Sequence, residues 1–193
     1  IEECDVGILV EAGVRVVFED LVVRSCGTGM NVSSEAEAAV VAIRQSIFTT
    51  SANAVSLQAA RVTLRVEKTK IHNCGESFLS DKNRAVAVFR RNKFFYRAGV
   101  AKFGKGRLAG MFFTGRGSHV HIVDVTFCNI DDQTIEVGGP ISHLTVERSS
   151  FLQSCKGNER WERRGSDEGI LFKADSGSVS ISDTEFVDFN HHA

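Results

Sequence analysis

Apolar residues along the chain fall into one short frame: apolar, any, apolar, any, any, small or apolar, any, large apolar. It reads Val16, Phe18, Leu21, Val23, then Val41, Ile43, Ser46, Phe48, then Leu64, Val66, Thr69, Ile71. It continues as Ala87, Phe89, Asn92, Phe94, then Val120, Ile122, Val125, Phe127, then Leu144, Val146, Ser149, Phe151, and ends as Val179, Ile181, Thr184, Phe186. The second frame position falls at 18, 43, 66, 89, 122, 146 and 181, in steps of 25, 23, 23, 33, 24 and 35. Four of these steps are nearly equal, and the two long ones predict units that carry inserted loops. Residues 156–168 account for the longest step as a polar projecting loop that holds Trp161.

A second strand is predicted ahead of several frames. Leu57, Phe113, Val137 and Phe172 each precede their frame by seven residues and Val10 by six, and each has an apolar residue two places earlier. The connections are turn-like: Glu-Ala-Gly, Thr-Gly-Arg-Gly-Ser, Gly-Gly-Pro and Ala-Asp-Ser-Gly-Ser. Alternation of period two, broken at Gly-rich corners, predicts strands. Residues 34–45 alone have helix-forming composition and a Ser to cap it. Val41 and Ile43 belong to the frame, so this segment is also read as strand, with a short helical turn before it.

A unit of about two dozen residues cannot bury its own apolar face, but stacked units can. The expected architecture is all-β: a right-handed parallel β-helix of about seven coils, one domain over 1–193, read also as a piece of something longer. Equivalent positions then lie in columns about 4.8 Å apart, the spacing of paired strands. One column holds Phe48, Phe94, Phe127, Phe151 and Phe186. A second holds Ser46, Thr69, Asn92, Ser149 and Thr184, whose aligned polar groups can hydrogen-bond along it.

The segments HVHIVDVTFCNI, HLTVERSSFLQSC and SVSISDTEFVDFN, with GILFKADSG leading into the last, resemble the right-handed parallel β-helix, or pectin-lyase-like, superfamily. That resemblance covers nearly the whole chain. It implies a fold shared by lyases, hydrolases, epimerases, tailspikes, adhesins and scaffolds, so activity has to be argued from sites.

Composition narrows the picture. The 193 residues are 42% hydrophobic and 24% charged, which excludes a disordered chain. No run of eighteen apolar residues is present to span a membrane. The cysteines are Cys4, Cys26, Cys74, Cys128 and Cys155, an odd set without a C-x-x-C pair. They are read as small buried hydrophobes, with one or two disulfides if the protein is secreted.

Candidate chemistry is sparse. Asp131, Asp132 and Glu136 resemble the Asp-Asp segment of polygalacturonases, and a carboxyl pair is what glycoside hydrolysis requires. The upstream MFFTGRGS and downstream SCKGNERWERRG lack the partner motifs of that family. An Asp pair at a coil corner also serves as a turn. His119, His121 and His143 lie around two consecutive frames, with His119 and His121 outward and His143 one coil away from His119. No metal site or cofactor is assigned. Asn31-Val32-Ser33 is an N-glycosylation sequon placed at a corner, and it fits an extracellular setting.

Charge is regional. Residues 82–116 contain ten Lys and Arg and no Asp or Glu, whereas residues 1–40 contain eight acids against Arg15 and Arg24. A basic band binds polyanions. Arg90, Arg91, Lys93, Arg97, Lys102, Lys105 and Arg107 are the candidate ligands of an acidic polysaccharide, with nucleic acid set aside. The expected function is therefore a non-catalytic, extracellular structural or adhesive module. Its further partners would be neighbouring domains or copies stacked end to end, because strand edges at the ends of a β-helix need covering. The alternative is a polysaccharide-active enzyme, a polyuronate hydrolase, lyase or epimerase.

Overall fold

The computed structural model describes residues 1–80, 84–95, 110–128, 134–152 and 169–187. Among them there is no helix, and the chain runs through seven turns of three strands. The first coil holds β1 (Val6–Val10), β2 (Arg15–Glu19) and β3 (Val22–Arg24), and the second β4 (Thr28–Val32), β5 (Ala38–Arg44) and β6 (Ile47–Thr49). The third holds β7 (Asn53–Leu57), β8 (Arg61–Glu67) and β9 (Lys70–His72), and the fourth β10 (Glu76–Ser80), β11 (Arg84–Arg90) and β12 (Lys93–Phe95). The fifth holds β13 (Met111–Phe113), β14 (His119–Val123) and β15 (Thr126–Cys128). The sixth holds β16 (Ile135–Gly138), β17 (Ser142–Glu147) and β18 (Ser150–Leu152), and the seventh β19 (Ile170–Lys173), β20 (Gly177–Ser182) and β21 (Glu185–Val187).

Each strand pairs in parallel with its equivalents one coil away, giving three seven-stranded sheets: β1 with every third strand to β19, β2 likewise to β20, and β3 likewise to β21. This is the parallel β-helix solenoid that the repeat predicts. Segment 34–45 resolves as the strand β5 after a turn closed by Ala36 N–H donating to Ser33 C=O at 3.1 Å, without a helical turn.

The frame positions are the core columns. Val41, Leu64, Ala87, Val120 and Leu144 are in register in the second sheet and buried, as are Ile43, Val66, Phe89, Ile122 and Val146. In the third sheet Phe48, Ile71, Phe94, Phe127, Phe151 and Phe186 follow one another in register. The rings of Phe94, Phe127, Phe151 and Phe186 stack with successive centroids 4.8, 4.7 and 4.7 Å apart. Parallel pairing places like residues over like, so ring spacing follows strand spacing. Beneath Phe48 the backbone must come close: a Cβ on Gly29 would lie 2.8 Å from the Phe48 ring and 2.7 Å from Ala54 O.

The polar column works differently from the expected ladder of side chains. Ser46 and Ser149 each donate to a carbonyl of their own coil and accept a backbone N–H from the coil before, whereas both Asn92 partners lie in the coil before. Ser46 Oγ donates to Arg44 O at 2.6 Å and accepts from Leu21 N at 3.2 Å. Ser149 Oγ donates to Glu147 O at 2.9 Å and accepts from Val125 N at 3.2 Å. Asn92 accepts from Thr69 N at 2.8 Å and donates to Val66 O at 2.9 Å. These bonds satisfy backbone groups where the ladder breaks at a corner.

That corner is the adjacent pair of free positions in the frame, and glycine does not make it. Asp20, Gln45, Lys68, Arg91, Asp124, Arg148 and Asp183 all have φ between 45° and 56°. The N–H of each of the first six bonds to a carbonyl of the next coil, as Gln45 N does to Glu67 O at 3.0 Å. Inter-coil bonding holds the left-handed turn against its steric cost of about 1–2 kcal/mol per residue. Glycine relieves that cost but loses about 0.5–1 kcal/mol in backbone entropy. The exposed Gln45→Gly change is expected to stabilise the protein by roughly 0.5–1 kcal/mol, read as a raised urea midpoint at unchanged slope.

Candidate functional site

Stacking assembles a cationic belt across the outer faces of coils three and four. On β8 and its corner, Arg61, Arg65 and Lys68 are exposed, and Lys70 follows on β9. One coil on, Arg84 and Arg90 on β11, Arg91 at the corner and Lys93 on β12 are exposed as well. Register places Arg61 beside Arg84 and Lys70 beside Lys93, and Arg90 beside Glu67. The inward residues between them (Val62, Leu64, Val66 and their partners) are core, so alternation turns the charged ones outward. No carboxylate of the described residues forms an ion pair with any of the eight.

Neighbouring coils are neutralised where this belt is not. On coils five and six Arg148 Nε lies 2.9 Å from Asp124 Oδ1, and Arg148 Nη1 lies 3.3 Å from Glu147 Oε2. The hydrogen bond from Arg148 holds the Asp124 carboxyl below its ordinary range, with Arg91 and Arg90 adding to its pull. A polar recess of about 170 Å³ on coils one to three is lined by Glu19, Arg44, Gln45, Glu67 and Lys68. Both signs of charge line it, so it does not select an anion.

His72 reports on the belt. It is half-buried against the edge of Phe95, with ring centroids 5.8 Å apart. Its imidazole is held below its ordinary pKa, first by burial and then by the charges of Lys70 and Lys93.

Of the residues expected from sequence to bind a polyanion, Arg90, Arg91 and Lys93 come together. Arg97, Lys102, Lys105 and Arg107 lie outside the described residues, as do Asp131 and Asp132, Cys155 and the loop 156–168. Arg61, Arg65, Lys68 and Lys70 lie outside the contiguous basic stretch 82–116, one coil earlier, so only the stacking of coils brings them into the belt. Glu136 is buried at 6% exposure on β16, with Lys173 Nζ 3.4 Å from its Oε1.

Asn31 corrects the sequence reading. It lies inside β4, half-buried, with the corner beginning only at Ser33. The histidine column is as expected: the His119 and His143 rings are in register with centroids 4.6 Å apart. His121 Nε2 sits 3.2 Å from Glu147 Oε1, and His143 Nδ1 sits 2.7 Å from Ser178 Oγ. Among the described residues no three His, Cys, Asp or Glu side chains converge to hold a metal ion. No helix among them is long and apolar enough to cross a membrane.

Comparison with family models, with curated proteins and with solved structures finds no match to this chain.

Proposed function

We propose that this solenoid is a non-catalytic module of the pectin-lyase-like kind that binds an acidic polysaccharide across coils three and four. The observation that carries this reading is the belt itself: eight exposed cations in stacked rows on two successive coils, with Glu67 the one acid within the rows. Surface cations at strand spacing, without an ion pair among the described residues, suit a linear polyanion, which releases its counterions on contact. An extracellular setting goes with such a ligand, and the disulfide at Cys128 is in keeping with it. Copies or neighbouring domains stacked along the solenoid axis would lengthen the same surface.

Retention on heparin and alginate columns tests the proposal. Replacing Arg90, Arg91 and Lys93 by Gln is expected to weaken binding at least tenfold and to flatten its dependence on salt. Unchanged retention would overturn the reading. His72 gives a local readout by NMR. Polyanion bound at Lys70 and Lys93 should raise the His72 pKa, because it cancels their repulsion of the imidazolium. The Lys70→Gln/Lys93→Gln variant should raise it without ligand and abolish the ligand response. Turnover of polygalacturonate or alginate by the protein would favour the enzymatic alternative instead.

A further inference from the structure

A second feature stands apart from the belt. At the corner between the third sheet and the first, Cys4, Cys26, Ser51 and Cys74 occupy equivalent places on successive coils. Gly27 N donates to Cys4 O at 2.9 Å, Ala52 N to Cys26 O at 3.3 Å and Gly75 N to Ser51 O at 3.0 Å. The bonded registers Val6–Thr28, Thr28–Asn53 and Asn53–Glu76 continue the same alignment.

Within this column the Cys4 and Cys26 sulfurs approach to 2.7 Å. Both thiols are free, and this separation exceeds the roughly 2.05 Å of a covalent S–S bond. Strands one coil apart are separated by about 4.8 Å, inside the Cα range of about 4.4–6.8 Å that a disulfide spans. We infer that Cys4 and Cys26 are a disulfide site, closed under oxidising conditions, that staples the first coil to the second.

Neighbouring groups define the pair. Ser51 stands between Cys26 and Cys74, and its Oγ lies 3.4 Å from Cys26 N. Among the described residues Cys74 therefore has no sulfur beside it in the column; it is a free thiol, and burial pushes its pKa up to about 12. The odd cysteine count is then accounted for. One pair is Cys4–Cys26, a second disulfide uses Cys128, and Cys74 is left over.

The chemistry needs a disulfide oxidant such as oxidised glutathione. Cys4 is the more accessible partner, Cys26 being 2% exposed. The Cys4 thiolate attacks one glutathione sulfur and the other glutathione leaves as thiolate. Cys26, as thiolate, then attacks the Cys4 sulfur and expels the second glutathione. Two protein thiols and one oxidised glutathione give one protein disulfide and two reduced glutathiones. The Cys4 thiol is held above its ordinary pKa, chiefly by its contact with Cys26, so closure should quicken as pH rises.

The test is thiol counting on the full chain equilibrated in a glutathione redox buffer, acid-quenched, then alkylated in denaturant without reductant. With five cysteines and two disulfides, one alkyl group is expected, on Cys74, together with a proteolytic peptide linking Cys4 to Cys26. Alkylation of both Cys4 and Cys26, or linkage of either to another cysteine, would overturn the inference. The Cys74→Ser variant should keep the Cys4–Cys26 peptide and take up no alkyl group. Loss of that peptide in this variant would also overturn it.

Discussion

Replacing Phe127 by Ala should destabilise the protein by about 3–5 kcal/mol, the range for a buried Phe whose cavity cannot collapse. Phe127 is 1% exposed and lies between two stacked rings, Phe94 at 4.8 Å and Phe151 at 4.7 Å. Those rings are fixed by their own strands, so neither can fill the gap. For a chain of this length the loss corresponds to a fall in Tm of roughly 10 °C. In a solenoid each coil is held mainly by its two neighbours, so a defect in the middle weakens both interfaces. Phe186 belongs to the same column but is only half-buried. Phe186→Ala should therefore cost less than half as much, in proportion to its buried area. Equal losses at the two sites, measured by urea unfolding, would argue against the stack as a source of stability.

Asn92→Ala is the second large effect, and its cause is polar. Asn92 is 3% exposed, accepts the Thr69 N–H and donates to the Val66 carbonyl. Its removal leaves two backbone groups of the third coil without their partner in a dry interior. At about 1–3 kcal/mol for each buried group, a total loss of about 2–5 kcal/mol is expected. Asn92→Ser should recover part of it, because Ser46 and Ser149 hold the equivalent corners by accepting one N–H each. If Asn92→Ser and Asn92→Ala unfold at the same denaturant concentration, the corner hydrogen bonds are not what stabilises the turn.

These two sites show which parts of the molecule the repeat discloses. Column positions were legible because parallel pairing turns a sequence period into vertical contact, and apolar residues mark it. The first sheet was only partly legible. Met30 and Val32 were not tied to a frame, since Val32 lies nine residues before Val41 rather than seven, the turn near Ser33 and Ala36 adding length. Phe78 carries no such signal, because Ser80, seven before Ala87, is polar although fully buried. The corners could not be located by residue type. Asp, Gln, Lys, Arg, Asp, Arg and Asp adopt one left-handed conformation, and inter-coil hydrogen bonds hold it at the first six. The candidate site was half visible for a related reason: a linear count of charge sees Arg90, Arg91 and Lys93 but not the cations one turn below.

The left-handed corner has a further consequence. Since neighbouring turns dictate its backbone, the residue type at each corner is free to vary, its side chain at most bonding to the next corner, as Gln45 does to Asp20 and Arg148 to Asp124. One edge of the rod thus works as a ruler, with a tick at every turn and a mark on each tick that can be rewritten. Substitutions there would recompose the pattern that a long ligand meets while leaving the interval between marks untouched.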